Sequence, residues 1–349
     1  MWFSSQLLKW YNANKRELPW RQTRDPYHIW VSEILLQQTR VDQGLPYYER
    51  FTQRFPNVHD LANAEEKEVL KAWQGLGYYS RARNLHHTAK VISSELGGVF
   101  PSSHDELIKL KGIGAYTAAA ISSICFDEPK PVVDGNVYRV LSRFYGIDNP
   151  IDSAMGKKRF SDLAIKAMGK SPPGDYNQGI MEFGALYCKP SNPDCNNCIL
   201  KSRCVARKND LVGTLPIKSK KVKVRNRYFN YIFITGDKGP FFQIRSEKDI
   251  WQNMYEPLLI ESAKHLGKKE IIASEQWRRI FGKKHSTNLV ASGNIDHKLT
   301  HQNIRARFWK SQVNSAEIPF NSSLKEIGAD ELSELPIPRL IEKYLELQS

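Results

Sequence analysis

The sequence contains no apolar run long enough to cross a membrane, and its amino terminus, MWFSSQLLKWYNANKR, is too weakly apolar for a signal peptide. We therefore expect a protein without membrane association that stays in a reducing, cytoplasmic environment. A hydrophobic content of 41% and a mean hydropathy of −0.51 are typical of a soluble globular protein. A chain of 349 residues is long enough for two domains that each bury a core.

Acidic residues are scarce relative to basic ones: 37 Asp and Glu stand against 51 Lys and Arg, which gives a formal net charge of +14. The isoelectric point near 9.4 indicates a polyanionic partner, and nucleic acid is the commonest polyanion that proteins bind. From charge alone, a soluble protein that is merely basic remains an alternative.

Cysteine is also scarce, with five in the chain, but four of them crowd into residues 188–204 with the spacing C-x6-C-x2-C-x5-C. Because nothing indicates secretion, a metal site is favoured over disulfides. Zinc commonly uses two Cys-x-x-Cys pairs, whereas this loop has one pair and wider gaps. The spacing therefore favours an iron–sulfur cluster and leaves zinc as the alternative. We predict a structural site with four thiolate ligands: Cys188, Cys195, Cys198 and Cys204.

The hydrophobic periodicity changes partway along the chain. Residues 1–205 have the pattern of successive helices, and a stretch rich in lysine and arginine, residues 206–226, is predicted to be an interdomain linker. In residues 227–349, apolar segments flank a turn signal at 236–239, and residues 304–309 alternate as on a half-buried strand. An amphipathic helix closes the chain. The fold class is therefore multidomain, with an all-α domain followed by an α+β domain.

Residues 103–125 have the pattern of two helices joined by a tight turn, Gly112-Ile113-Gly114. Ser103, with a glutamate three residues later, is predicted to cap the first helix, and both glycines are predicted to supply positive φ angles. The second helix would present free backbone N–H groups, which is an arrangement that binds phosphate. Asp134 is predicted to cap the next helix, so that a carboxylate follows the phosphate cradle.

Several strings stand together in a characteristic order: LPWR, DPYHIWVSEILLQQTRV, GLGYYSRARNLH, LKGIGAYTAAAI, VDGNVYRVLSR and NQGIMEFGALYC. With the cysteine loop, they resemble the helix–hairpin–helix DNA glycosylases, and more narrowly the adenine DNA glycosylases of the MutY family. The resemblance implies a helical catalytic domain with a [4Fe–4S] cluster. It also implies a Nudix-like domain at 227–349 that reads 8-oxoguanine. The glutamate-rich box of Nudix hydrolases is missing there, so we expect no pyrophosphate hydrolysis.

The reaction that this resemblance implies is the removal of adenine mispaired with 8-oxoguanine or guanine in duplex DNA. Glu33 is then the acid that protonates the leaving adenine, because apolar surroundings favour a neutral carboxyl. Asp134 has the opposite part: a helix amino end favours its charged form, which suits it to stabilise or attack the oxocarbenium-like sugar. Tyr116 and Asn136 are expected to orient Asp134 and the attacking water.

The related endonuclease III carries a lysine nucleophile where this hairpin has Tyr116. A tyrosine forms no Schiff base, which predicts a monofunctional glycosylase without lyase activity. Two alternatives remain at this point. One is a bifunctional pyrimidine glycosylase and lyase like endonuclease III, and the other is a non-catalytic iron–sulfur protein that binds DNA.

The resemblance also implies sites that recognise the substrate. The expected lining of the adenine pocket comprises Trp20, Arg21, Leu36 and Gln178. The expected DNA contacts comprise Gln38, Tyr78, Gly112, Gly114, Thr300 and His301, with His297 as a weaker candidate. Relatives often have Phe-Ser-His where this chain has Leu-Thr-His, so the hydroxyl is kept with an added methyl. The expected partner is double-stranded DNA with A:8-oxoG or A:G mispairs, bound by a nucleoid-associated bacterial monomer.

Overall fold

The computed structural model describes residues 2–219, 224–282, 288–319 and 322–348, and these fall into two compact units. A helical unit comprises Met1–Asn63 and Asn84–Lys220, and a sheet unit comprises Ala64–Arg83 and Lys221–Ser349. The predicted domain boundaries place residues 64–83 in the catalytic domain instead. The segment groups with the sheet unit because its side chains bond there; the Lys71 ammonium, for example, donates to the Leu335 carbonyl at 3.2 Å.

Residues 2–208 are helical with short connections, as the periodicity predicted. The helices are α1 (Trp2–Asn14), α2 (Pro26–Leu35), α3 (Val41–Arg54), α4 (Val58–Asn63), α5 (Glu66–Ala72), α6 (Ser80–Glu95), α7 (His104–Leu107), α8 (Ala115–Phe126), α9 (Gly135–Tyr145), α10 (Ala154–Met168), α11 (Pro173–Leu186) and α12 (Val205–Lys208). A 3-10 turn, Pro19–Arg21, lies between α1 and α2.

Helix α8 lies at the centre of the helical unit, and its residues from Thr117 to Ile124 are all buried. It packs against α2 on one side and α11 on another, so residues on those helices can face a common space. A second core cluster forms where α1, α9, α10 and α11 meet, and it includes Leu7, Val137, Leu141, Phe160, Ile180 and Phe183. Burial of these large apolar side chains fixes the helices that carry the predicted site residues.

The sheet unit contains the α+β region that the sequence predicted. Its elements are β1 (Arg225–Thr235), β2 (Phe241–Ile244), β3 (Tyr255–Glu256), β4 (Leu258–Ser262), α13 (Lys268–Ala273), α14 (Glu275–Phe281), β5 (Val290–Lys298), β6 (Gln302–Gln312), β7 (Lys325–Glu326), α15 (Ala329–Glu334) and α16 (Arg339–Glu346). One sheet has the order β4-β1-β6-β5, and a smaller one has the order β3-β2-β7.

Strand β1 is the buried centre of the larger sheet. It runs antiparallel to β4 and parallel to β6, with Phe229 opposite Ala306. The closing helix α16 covers this sheet, and its Tyr344 ring stacks on Phe308 with 4.1 Å between centroids. Buried on both faces, β1 reads as a nearly continuous apolar run, as expected for a central strand.

The predicted turn at 236–239 is confirmed, since the Gly236 N–H donates to the Gly239 carbonyl at 2.9 Å. The hairpin that it implied is wrong beyond a single bridge between Thr235 and Pro240. Past that bridge, β1 and β2 pair with different partners and enter different sheets. The turn chemistry is local, whereas the choice of partner strand depends on distant residues.

The predicted linker, 206–226, overlaps regular structure at both ends. Ala206 of α12 is fully buried, and β1 already begins at Arg225. Lys220, Lys221 and Lys223 of this linker lie outside the described residues. Among the residues that the structure describes, no helix has the length and apolar character needed to span a membrane.

Candidate active site

Glu33 is positioned by α2, whose start is set by local sequence. The Asp25 side chain accepts a hydrogen bond from the Tyr27 N–H at 2.8 Å, and Pro26 occupies the first helical position. Most other side chains of α2 are buried, whereas Glu33 is half-buried and faces a cavity. The helix therefore fixes this carboxyl at the edge of an apolar wall.

That cavity has a volume of about 760 Å³, including its opening to solvent, which lies in the range of ligand pockets. It is lined by every residue predicted to act in catalysis or to form the adenine pocket: Trp20, Arg21, Glu33, Leu36, Tyr116, Asp134, Asn136 and Gln178. These residues come from the 3-10 turn, from α8 and α11, from α2 and its C-cap, and from the N-cap and first turn of α9, so the fold brings together positions that are distant in sequence.

The environment of Glu33 favours its neutral form. Burial raises the pKa of Glu33 to about 7, and the nearby Asp134 carboxyl acts in the same direction. A hydrogen bond with the Tyr116 hydroxyl and the positive charge of Arg21 oppose this rise in pKa only in part. A substantial fraction of Glu33 therefore carries a proton near pH 7.

Asp134 caps α9, as predicted. Its Oδ1 accepts from the Val137 N–H at 2.7 Å, and its Oδ2 accepts from the Asn136 side-chain amide at 2.8 Å. The sequence predicted that the helix end would favour the charged form. Burial nevertheless outweighs these hydrogen bonds and raises the pKa of Asp134 above its ordinary value. The hydrogen bonds from Val137 and Asn136 stabilise the ionised form of Asp134. Among the described residues, by contrast, no backbone N–H donates to the Glu33 carboxyl.

A second layer of hydrogen bonds fixes Asn136. Arg139 donates to the Asn136 side-chain oxygen at 2.8 Å and to the Gly184 carbonyl at 2.6 Å. The same guanidinium donates through Nε to the Cys188 carbonyl at 2.7 Å. Asn136, and through it Asp134, is therefore tied to the end of α11 and to the beginning of the cysteine loop.

Tyr116 is the second residue of α8, the helix that follows the glycine turn. Its hydroxyl interacts with the Glu33 carboxyl and lies 3.2 Å from the sulfur of Met181. Burial and the neighbouring carboxyl groups raise the pKa of Tyr116 well above its ordinary value. The phenol therefore stays neutral and serves as a hydrogen-bonding group.

Some polar residues in or beside the pocket were not predicted from sequence. Arg16 and Glu182 line the cavity, and the Tyr11 hydroxyl donates to the Gln178 side-chain oxygen at 3.1 Å. Glu182 could have been found, because it lies one helical turn after Gln178 on an otherwise apolar part of α11. Arg16 and Tyr11 carry no comparable signal in their local sequence.

The glycine turn has one strained position, not two. Gly112 has a φ of +82°, and a Cβ there would lie 2.6 Å from the Asn84 Cβ. Gly114 has a φ of −87°, so the predicted positive φ is wrong at this residue. Gly114 is instead the N-cap of α8, and no atom lies within 4 Å of the place where its Cβ would be. Its missing side chain leaves the helix N-terminus open to a phosphate.

The four cysteines of 188–204 line a second cavity of about 390 Å³, including its opening. Arg143 holds one side of this loop by donating to the Lys189 carbonyl at 2.7 Å and to the Pro190 carbonyl at 3.0 Å. Among the described residues, no three His, Cys, Asp or Glu side chains are close enough together to hold a single metal ion. The cavity among the four thiols is the feature that bears on a cofactor.

Two predicted DNA contacts have backbone angles that residues other than glycine rarely adopt. Gln38 has a φ of +58° in the helical unit, and Tyr78 has a φ of +50° in the sheet unit. Within the sheet unit, the Tyr78 hydroxyl hydrogen-bonds with the Thr300 hydroxyl. Thr300 and His301 are exposed at the turn between β5 and β6, whereas His297 is half-buried beside Trp251. Strained, exposed residues of this kind often serve binding.

A family model described as HhH-GPD superfamily base excision DNA repair protein matches residues 31–163. A thermostable thymine-DNA glycosylase has a similar structure, with a TM-score of 0.55, 30% identity, and coverage of 59% of this chain and 95% of that one. Endonuclease III in a non-covalent DNA complex, at 23% identity and a TM-score of 0.52, shares the fold over 60% of this chain and 94% of its own. Fold and cavity thus define a helix–hairpin–helix DNA glycosylase of base excision repair.

Sequence relatives narrow this class further. The chain is 39% identical over 254 residues to the adenine DNA glycosylase of Buchnera aphidicola subsp. Schizaphis graminum, covering 72% of this chain and 73% of that protein. It is 44% identical over 222 residues to the Rattus norvegicus enzyme of the same name, covering 61% of this chain and 43% of that one. The chain belongs to the adenine DNA glycosylase family.

Proposed function

We propose that this protein removes adenine opposite 8-oxoguanine or guanine in double-stranded DNA, and that it does so by hydrolysis alone. The observation that carries this proposal is the pairing of Glu33 and Asp134 on one cavity: Glu33 is an acid whose pKa is raised to about 7, and Asp134 is a hydrogen-bonded carboxylate. Two carboxyl groups with different surroundings suit the cleavage of a glycosidic bond.

The target adenine leaves the base stack before reaction, because the glycosidic bond is inaccessible within a duplex. Glu33 gives its proton to a ring nitrogen of the flipped base. The bond between the sugar C1′ and the base nitrogen then breaks, and its electron pair goes to the protonated adenine. Because the pKa of Glu33 lies at about 7, the acid retains enough of its proton for this step at neutral pH.

The sugar develops positive charge as the bond breaks. The Asp134 carboxylate stabilises this charge, and Asn136 holds the carboxylate in one orientation through the 2.8 Å hydrogen bond. A water molecule then forms a bond to C1′ and gives a proton to the Glu33 carboxylate, which restores the acid and leaves an abasic site. The Tyr116 hydroxyl, on the same cavity wall, orients the reacting groups without taking a charge.

Hydrolysis without strand cleavage follows from the side chains available. A lyase needs an amine that forms a Schiff base with C1′. Tyr116 occupies the hairpin position where endonuclease III has its lysine, and the cavity lining among the described residues includes no lysine. Water is therefore the nucleophile that we propose.

DNA binding in this proposal uses both units. The open N-terminus of α8 at Gly114 takes a backbone phosphate, with Gly112 forming the turn before it. Gln38 and Tyr78 enter the duplex beside the mispair, and Thr300 and His301 contact 8-oxoguanine. The sheet unit thus acts as a Nudix-like reader of the lesion, and the protein binds DNA as a monomer.

The proposed cofactor is a [4Fe–4S] cluster, for which the cavity lined by all four cysteines is the supporting observation. Cys188, Cys195, Cys198 and Cys204 would hold it as thiolates. Its role is to brace the loop, and the hydrogen bonds of Arg143 to Lys189 and Pro190 hold that loop against α9.

The proposal is tested with a labelled A:8-oxoG duplex, treated with alkali after incubation so that abasic sites appear as strand breaks. We expect breaks with alkali and none without it. Strand nicking without alkali, together with a covalent adduct trapped by borohydride, would support the bifunctional alternative. Tight binding by the wild type with no more adenine released than by Glu33→Gln would instead indicate a non-catalytic DNA-binding protein.

A further inference from the structure

Glu182 is a charged residue on the wall of the catalytic cavity, and only 1% of its surface is exposed. Its two carboxylate oxygens accept five hydrogen bonds. Arg16 donates from its backbone N–H at 3.0 Å, from Nε at 2.9 Å and from Nη2 at 2.6 Å. Arg21 donates from Nη1 and Nη2, each at 2.8 Å. Such a bidentate pairing with two guanidinium groups fixes both cations strongly.

Arg21 in turn orders the neighbouring part of the pocket. Its guanidinium lies over the Tyr11 ring at 5.6 Å, and the Tyr11 hydroxyl donates to the Gln178 side-chain oxygen. The hydrogen bonds of Glu182 therefore hold Arg21, and Arg21 packs on the residue that orients Gln178. Loss of the Glu182 carboxylate would therefore leave Arg21 without its ion pair, and the positions of Tyr11 and Gln178 would be less well fixed.

Charge gives Glu182 a second role. Arg16 and Arg21 place two positive charges on the wall of a cavity that also contains Glu33, and Glu182 places one negative charge between them. The hydrogen bonds from both arginines lower the pKa of Glu182 to about 2, despite its burial, so it is ionised at neutral pH. The three groups together carry a net charge of +1 in the wild type.

We propose that Glu182 is a positioning residue for the acid step: it anchors Arg16 and Arg21 and cancels one of their two charges, so that Glu33 keeps its proton near neutral pH. This inference rests on the proposed function, in which Glu33 protonates the leaving adenine.

The charged and titratable groups around Glu33 set the direction of the effect. They are Arg16 and Arg21 before α2, Tyr116 on α8, Asp134 at the start of α9 and Glu182 on α11. Tyr11 and Cys125 lie further out, with raised pKa values that keep them neutral. Glu182→Gln raises the net charge of the arginine cluster from +1 to +2, which stabilises the Glu33 carboxylate and lowers its pKa. Arg16→Gln lowers that net charge to 0 and has the opposite effect.

The test is the single-turnover rate of adenine release from an A:8-oxoG duplex, measured across pH. In the wild type the rate should fall as pH rises through about 7, as Glu33 loses its proton. In Glu182→Gln this descending limb should move to lower pH by roughly one unit, a tenfold change in the protonated fraction. In Arg16→Gln it should move to higher pH, and in the double variant it should return toward the wild-type position.

A purely structural role for Glu182 predicts slower rates with the limb in place, and that result would overturn the inference. Glu275→Gln serves as the control, because it removes one acid from an exposed ion pair with Arg279 in the sheet unit. Glu182→Asp, which keeps the charge, should keep the limb near its wild-type position even where the rate is reduced.

The infrared band of the protonated Glu33 carboxyl, identified as the band lost in Glu33→Gln, provides a second readout on protein without DNA. Its titration midpoint should shift in the same directions as the kinetic limb, and an unshifted midpoint would overturn the inference. If the wild type releases no adenine while the midpoint still shifts, then the proposed function fails and the electrostatic role of Glu182 stands.

Discussion

The cavity of the helical unit and the β5–β6 turn of the sheet unit contain polar residues in contrasting surroundings. Asp134 accepts hydrogen bonds from Asn136 and Val137, and Glu182 accepts five from Arg16 and Arg21. Thr300 and His301 are exposed, and the Thr300 hydroxyl hydrogen-bonds with the Tyr78 hydroxyl. Groups that act on a reacting bond gain from being held in advance, whereas exposed groups can adjust to a partner.

This comparison predicts effects of different size and kind. Substitutions in the cavity should change the rate of base release by orders of magnitude. Substitutions at the β5–β6 turn should change the choice among mispairs by a few-fold and leave the chemical step nearly intact.

The largest effect is expected for Glu33→Gln, which keeps the shape of the side chain but removes its acidic proton. The single-turnover rate of adenine release should fall by about 10²–10⁴-fold, the usual contribution of a general acid. Duplex binding should change little, as measured by fluorescence anisotropy. A rate close to that of the wild type would rule out Glu33 as the acid.

Asp134→Asn should have the next largest effect. The amide oxygen can still accept from the Val137 N–H, so α9 keeps its cap while the negative charge is lost. Loss of one electrostatic stabiliser costs about 10²–10³-fold in rate. Thermal unfolding should confirm a folded protein. An unchanged rate in that folded variant would contradict a role for the carboxylate at the sugar.

The two turn glycines offer a matched pair. Gly112→Ala should lower the free energy of unfolding by about 1–3 kcal/mol, because its φ of +82° is unfavourable for alanine and its Cβ would approach Asn84. Gly114→Ala should leave that free energy nearly unchanged but weaken duplex binding, since the added methyl would occupy the space that we propose for a backbone phosphate. Denaturant titration and anisotropy separate the two effects, and equal destabilisation by both would refute this assignment.

Thr300→Val should have the smallest effect. It removes a hydroxyl while keeping the shape, and a hydrogen bond of about 0.5–1.5 kcal/mol corresponds to a few-fold to tenfold change. The ratio of rates on A:8-oxoG and A:G duplexes should fall by that factor, while the rate on A:G stays nearly constant. Thr300→Ser should retain the ratio. If both variants lower the two rates equally, then Thr300 does not read the lesion.

Local sequence signals predicted much of the helical unit. Ser103 and Asp134 cap their helices as expected, because a cap depends on residues within one turn. Local sequence is less decisive at the start of α5. Asn63, with Glu66 three residues later, also has the pattern of a helix start, but Asn63 ends α4 and Glu65 forms the capping box with Glu68. Several residues there satisfy the pattern, and packing selects among them.

Long-range structure was less accessible from sequence. The parallel pairing of β1 with β6 joins Phe229 to Ala306 across much of the sheet unit, and no local pattern specifies it. In the cavity, the family resemblance named Glu33, Asp134 and Gln178, but not Arg16 or Tyr11. The packing of α1 against α11 brings those two residues to the pocket, and this packing exists only in the folded protein.

The central claim is that a neutral acid at Glu33 and a supported carboxylate at Asp134 act on one flipped nucleotide. Its most direct test is the pH dependence of single-turnover adenine release by the wild-type protein. Because burial raises the pKa of Glu33 to about 7, the rate should fall as pH rises through that value, and Glu33→Gln should abolish this limb. A rate that stays flat from acidic to mildly alkaline pH would contradict the account.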